Sequence, residues 1–191
     1  MNNLILDVKI MIASFHEDTW YHLYCYDEEF RKYSTKITSI QKFIELFTIR
    51  KVEMNEHYQI ESYYLFGKLH RNELPALIYT GNCHTILEDN NFSVRSGGIY
   101  RKNYSYQIWY QCGKVHKLND YAVIGSYDNE VEYYASYYEG KLHSYHDKSS
   151  LIYYNAQHWH SNGNRHRGDN LPAVVYADSQ MEWWKNNVRI K

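Results

Sequence analysis

Histidine is the side chain of this sequence best placed for chemistry near neutral pH, and its copies fall in a pattern. His158 and His160 lie two apart, so a strand would present both imidazoles on one face, with His166 following across a turn. That is the beginning of a zinc site. Zinc needs a third and usually a fourth ligand at fixed geometry, and no Cys, Asp or Glu column accompanies them. A structural reading stands beside the chemical one. His70, His116, His143 and His166 each follow a turn residue by three positions. Repeats that bring like residues into register would stack these imidazoles and hydrogen-bond them to loop backbone. No metal and no cofactor are expected.

Nucleophilic catalysis lacks its parts. No serine sits in a strained glycine-flanked elbow, and Cys25, Cys83 and Cys112 carry no local activating signature. The carboxylate pairs Glu28-Glu29 and Glu88-Asp89 read as solvated charges. No catalytic residue is expected, and the chain reads as a non-enzyme.

What positions the histidines is a recurring phrase: YYLFGKLHRNELPALIY from Tyr63, WYQCGKVHKLNDYAVI from Trp109, YYEGKLHSYHDKSSLIYY from Tyr137, WHSNGNRHRGDNLPAVVY from Trp159 and WWKNNVRIK from Trp183. Its turn residue is Gly67, Gly113, Gly140, Gly163 and Asn187, at spacings of 46, 27, 23 and 24. The first gap is two periods, and Asn90-Asn91 supplies the turn of a decayed copy. Periods of this length signal stacked units, each too small to cover its own apolar face. Within each phrase, β-branched and aromatic residues alternate between turn signals, the pattern of hairpins. Asn162-Gly163 is the strongest turn, because a two-residue hairpin of the primed type needs positive φ at its centre. Ala76, Ala122, Ser150 and Ala173 form a small-residue column that lets successive backbones approach closely, and Pro75 and Pro172 precede it where a missing N–H costs little.

The first 55 residues differ. Leu4, Leu6, Val8, Ile10, Met11, Ile12 and Phe15 crowd one segment, Asp18 is placed to cap a helix carrying Trp20, Leu23 and Tyr24, and Ser39 to Phe47 puts Ile40, Phe43, Ile44 and Phe47 at helical spacing. The expected fold is α+β and mainly β. A helical head spans 1–55, and an antiparallel β-hairpin repeat array of about 23-residue period spans 56–191.

Formal charge is −1 and the isoelectric point is near 6.8, which gives no electrostatic footprint for a phosphate backbone or an anionic membrane. Three widely spaced cysteines suit neither a disulfide framework nor a zinc knot, so a reducing compartment is expected. The run from Leu4 to Ala13 carries Asp7 and Lys9, is too short to span a bilayer, and lacks the flanks of a secretory signal. The 22 tyrosines suit a thin sheet, since one end packs while the hydroxyl reaches water or backbone.

The unit WHSNGNRHRGDNLPAVVYADSQMEWW resembles the MORN-like repeat arrays of large DNA viruses of amoebae, over about residues 60–191. The resemblance implies a ribbon of hairpins and a viral source, hence a host cytoplasm or a virus particle as location. The head, LILDVKIMIASFHEDTWYHLYCYDEEFRKYS, is similar to an F-box, with Leu4, Leu6, Ile10, Ile12, Phe15, Leu23 and Phe30 where that motif keeps its apolar residues. This implies docking on the adaptor subunit of a host ubiquitin ligase. The alternative from the residues themselves is a cap over the raw end of the stack.

Arg71, Arg165 and Arg167 form a basic edge beside the histidine column, interleaved with Trp159, Trp183 and Trp184, a composition typical of protein-binding hot spots. The expected function is a non-enzymatic protein–protein interaction module, with a virion structural protein as the alternative. The sequence leaves its oligomeric state open.

Overall fold

A computed structural model of the chain describes residues 23–24, 26–34, 48–71, 73–82, 87–89, 92–94, 103–128, 130–153 and 155–191. The protein is mainly β. Strands β1 (Thr48–Met54), β2 (Tyr58–Leu65), β4 (Leu77–Gly81), β7 (Tyr104–Ile108), β10 (Val123–Tyr127), β11 (Glu130–Ala135), β14 (Leu151–Tyr153), β15 (Ala156–His158), β18 (Val174–Tyr176) and β19 (Met181–Glu182) lie side by side in that order. All are antiparallel, and β3 (Lys68–Leu69) joins the same sheet beside β2. Strands β5 (Leu87–Asp89) and β6 (Phe92–Val94) pair separately.

Every second strand of the sheet runs on into a short arm that turns and comes back. The arms are β8–β9 (Tyr110–Gln111, Lys114–Val115), β12–β13 (Tyr137–Tyr138, Lys141–Leu142), β16–β17 (His160–Ser161, Asn164–Arg165) and β20–β21 (Trp184–Lys185, Val188–Arg189). Their turns share one geometry. Both central residues have positive φ: 47° and 75° at Phe66-Gly67, 51° and 78° at Cys112-Gly113, 46° and 79° at Glu139-Gly140, 49° and 86° at Asn162-Gly163, and 50° and 66° at Asn186-Asn187. These are the primed turns whose twist matches that of the strands, which is why Gly or Asn stands at the second position each time.

The register gives the sheet two unlike faces. One row runs Leu77, Ile108, Val123, Ala135, Leu151, His158, Val174 across successive strands. With Tyr110, Val115 and Tyr137 from the arms, the middle of this row forms the core. The small column is buried throughout: Ala76, Ala122, Ser150 and Ala173 are fully covered, and their backbones bond both neighbours, as when Ala122 N–H reaches Ala135 O and its carbonyl receives Trp109 N–H, each at 2.8 Å.

Of the head, helix α1 (Glu28–Ser34) is described, with Asp27 Oδ1 accepting Phe30 N–H at 2.9 Å as its N-terminal cap. Tyr24 and Phe30 are buried. The Tyr24 ring meets His70 edge-on at 5.4 Å, and Arg31 donates to Gln111 at 3.2 Å, so the helix rests on the first arms of the ribbon. Leu4, Leu6, Ile10, Ile12 and Phe15, the helix expected over 39–47 and the turn at Asn90-Asn91 lie outside the described residues. Two expectations change. Among the described residues the sheet starts at Thr48, inside the segment read as helical, because Thr48–Met54 pairs along its whole length with β2. Cys112 is disulfide-bonded, with its partner outside the described residues. Cysteine spacing along a chain does not reveal a pair brought together by packing.

Candidate functional site

Three features of the ribbon bear on function: a histidine ladder, a set of cation–aromatic clamps and an apolar row on the open face. The ladder comes first because it is the feature most like a catalytic or metal site. His70 Nδ1 accepts Cys112 N–H at 3.1 Å, His116 Nδ1 accepts Glu139 N–H at 3.1 Å, and His143 Nδ1 accepts Asn162 N–H at 3.4 Å. Each donor is the first turn residue of the next arm. The following residue bonds the carbonyl just before the histidine: Gly113 N–H to Leu69 O, Gly140 N–H to Val115 O and Gly163 N–H to Leu142 O, all at 2.8 Å. An Nδ1 that accepts a hydrogen bond carries no proton of its own. Burial lowers the pKa of His116, and Arg31 adds to the effect. The ladder ends at His166, whose buried Nδ1 has no hydrogen-bond partner; there Asn187 Oδ1 accepts Arg165 N–H at 2.6 Å instead.

The clamps sit at a fixed offset. An aromatic residue four positions before the turn residue lies under a cation four positions after it. Arg71 covers Tyr63 at 3.8 Å, Lys117 covers Trp109 at 3.9 Å, Arg167 covers Trp159 at 3.8 Å and Lys191 covers Trp183 at 4.6 Å. Each indole N–H reaches a carbonyl in the preceding loop at 2.9 Å: Trp109 to Glu73, Trp159 to Asp147 and Trp183 to Asn170. Arg71 and Arg167 also donate to Pro75 O and Pro172 O, and Arg167 grips both oxygens of Asp147 at 2.7 and 2.6 Å, which holds that carboxyl below its usual range. Ser136 and Ser144 occupy the two clamp positions of the β12–β13 arm, and Ser144 Oγ accepts His160 N–H at 3.1 Å.

The expected binding residues therefore have internal work. Arg71 and Arg167 close clamps, Arg165 stacks on Trp184 at 4.7 Å, and Trp183 and Trp184 are both half-buried, with the Trp184 indole donating to Glu182 at 2.8 Å. The structure brings Arg165 to Trp184 and Arg167 to Trp159, and leaves Arg71 at the far end of the ribbon beside Tyr63.

His158 and His160 share a face as expected, with ring centres 6.4 Å apart. His160 shares a 2.8 Å hydrogen bond with Ser150 Oγ, which also donates to His158 O at 3.1 Å. Since that hydroxyl spends its proton on the carbonyl, His160 Nδ1 is the donor between the two. Burial, then Arg165 and His158, push the His160 pKa down to about 4. Ser150 is fully covered, so no substrate reaches this pair. Among the described residues, no three His, Cys, Asp or Glu side chains are grouped to hold a metal ion, and no helix is long and apolar enough to cross a membrane.

The third feature is not visible as a motif. Opposite the core, strand register aligns Glu61, Ile78, Gln107, Ile124, Tyr134, Ile152, Gln157, Val175 and Met181 in a single row. Gln107, Gln157 and Met181 are exposed and the others are half-buried. Tyr121 packs on Tyr134 at 4.9 Å and carries Lys148 at 3.9 Å, which widens the apolar strip at its centre. Four of these residues, Ile78, Ile124, Ile152 and Val175, come from separate phrases of the sequence and the rest from the segments between them, and only the register unites them.

No family model matches the chain, and no curated protein or solved structure matches it.

Proposed function

We propose that this protein is a non-enzymatic protein-binding module: an array of β-hairpin repeats, about 23 residues each, that offers the open face of its sheet to a protein partner. The observation that carries this reading is the row Ile78, Ile124, Tyr134, Ile152, Val175 and Met181, apolar on the face away from the core. The clamp arginines, the tryptophans and the ladder histidines other than His166 are accounted for by contacts within a hairpin or between neighbouring ones. The apolar positions lie outside the core cluster, and their continuous stretch Ile124, Tyr134 and Ile152, flanked by Gln107 and Gln157, is the kind of apolar patch with a polar rim that marks a protein contact.

The head serves in this reading as a cap on the first arms, supported by the burial of Tyr24 and Phe30. The F-box-like resemblance supports an extension of the same reading, in which the head also docks the adaptor subunit of a host ubiquitin ligase and the ribbon holds the target. The likeness to viral arrays supports action in a host cytoplasm or a virus particle.

Affinity capture from amoebal lysate with the full chain tests the main reading, beside an Ile78→Lys/Ile152→Lys variant of unchanged thermal midpoint. A partner retained by the wild type and lost by the variant supports it. Equal capture by both sinks it. Purified adaptor subunit titrated into the full chain tests the extension separately, and absence of binding leaves the head a cap.

A further inference from the structure

Among the described residues, Ile49–Met54 of β1 form the longest stretch of sheet edge with no strand alongside. Ile49, Val52 and Met54 are 58, 48 and 71% exposed, and no described strand lies beyond β1. Asn55 N–H donates to Tyr58 O at 2.9 Å, which fixes the phase of the ladder: odd-numbered β1 residues bond β2, so Arg50, Val52 and Met54 direct their N–H and C=O groups outward. An edge of this kind templates another strand, and proteins commonly blunt it with unmatched charge. Here the charges match when the strand meets itself.

We propose that β1 pairs antiparallel with β1 of a second copy, about a twofold axis through Val52. A twofold axis perpendicular to a sheet keeps its faces, so only registers centred on a residue are open to an isologous pair. Centring on Lys51 sets two lysines against each other, and centring on Arg50 sets two arginines against each other. Centring on Val52 sets Lys51 opposite Glu53 of the second copy, twice by symmetry, Arg50 opposite Met54, and Val52 opposite itself. Opposite charges across a ladder stabilise it and like charges do the reverse. The Lys51–Glu53 positions also form the pairs without backbone bonds between them, where side chains approach most closely.

Both side chains lie on the core face and reach back over β2, contacts they would exchange for each other across the axis. Lys51 Nζ lies 4.9 Å over the Tyr64 ring, and Glu53 accepts the Tyr58 hydroxyl at 2.6 Å. On the other face, Arg50 is bonded to Glu61 at 2.7 Å, leaving its aliphatic stem to cover Met54 of the second copy. Val52 stands opposite Glu61, at the head of the row that carries Ile78 and Ile124. This register therefore joins the open-face rows of the two copies across the axis into one strip.

Sedimentation velocity on the full chain across micromolar to hundreds of micromolar concentration tests the pairing. The wild type is expected to be a reversible dimer. Val52→Pro removes an outward N–H without touching the β1–β2 ladder and is expected to give a monomer with unchanged circular dichroism. Lys51→Glu and Glu53→Lys are each expected to weaken the dimer at least tenfold, and the double swap to return it to within about threefold of wild type. A monomeric wild type, a dimer that survives Val52→Pro, or a double swap no better than the single changes would overturn the proposal.

Discussion

His70 Nδ1 receives the backbone N–H of Cys112, a residue 42 positions away, at 3.1 Å while the His70 ring is almost wholly buried. The bond ties a histidine in one hairpin to the turn of the next, and it recurs between His116 and Glu139 and between His143 and Asn162. Stacking is thus specified by a directional contact as well as by apolar burial. The imidazole supplies an acceptor for the turn N–H, and at the half-buried Cys112 a side chain without one leaves the donor unpaired.

Replacing His70 by Leu should therefore destabilise the protein by about 1 to 2 kcal/mol, since the half-buried Cys112 N–H loses its partner while volume is roughly kept. His70→Asn, which keeps an acceptor, should recover part of that. The same pair of changes at His143, which is half-exposed and holds its N–H at 3.4 Å, should cost less than half as much. Urea unfolding midpoints measure all four.

The histidines also set a pH dependence. His160, His116 and His158 have lowered pKa values in the folded protein, chiefly through burial, so the unfolded chain binds protons more readily. Stability from these groups is complete above the unfolded value near 6.5 and falls as pH drops toward about 4, the value for His160. His160 alone should account for a loss on the order of 3 kcal/mol over that window. Unfolding free energy measured at pH 7, 5.5 and 4 should decline steadily, and a flat profile would mean that His160 is solvated.

The Arg167–Trp159 clamp predicts an asymmetry between two conservative-looking changes. Arg167→Lys keeps the charge but loses the two-pronged grip on Asp147 and the flat stack, and should cost about 1 kcal/mol. Trp159→Ala removes a nearly buried ring and should cost about 3 to 5 kcal/mol. At Lys117 over Trp109 the clamp is already made with an ammonium, so Lys117→Arg should be neutral or slightly stabilising. Denaturant titration of the three variants checks the ranking.

Much of this was legible in the sequence, and the exceptions have physical causes. Gly67, Gly113, Gly140, Gly163 and Asn187 announce turns because their φ values are ones other residues avoid, and the buried Ala and Ser column announces close backbones. The bonding of the histidines to loop backbone followed from their constant offset. The role of Arg71 and Arg167 was harder to read. Their offset from Tyr63 and Trp159 was present in the letters, but an arginine beside a tryptophan looks the same whether it faces a partner or its own chain. The apolar row on the open face was hidden for another reason: its members are single residues from separate phrases and the segments between them, aligned by strand register. The disulfide at Cys112 left no local sign in the sequence.

Gly125 gives the sharpest test of packing on the core face. It stands opposite Tyr106 on one side and Tyr133 on the other, and a Cβ there would lie 2.6 Å from Tyr106 Cε1 and 3.1 Å from Tyr133 Cβ. The two rings fill the space above it, and Tyr133 is so enclosed, with its hydroxyl bonded to Tyr137, that its pKa is driven upward by burial. Gly125→Ala should therefore destabilise by about 1 to 3 kcal/mol through overpacking. At Gly67, by contrast, a Cβ meets nothing within 4 Å and the cost comes only from its φ of +75°, about 1 kcal/mol. A double change separates the causes. Tyr106→Leu withdraws the ring edge from above Gly125, so Gly125→Ala in that background should cost less than half its value in the wild type. If the two changes prove additive, steric conflict with Tyr106 is not the reason for the glycine.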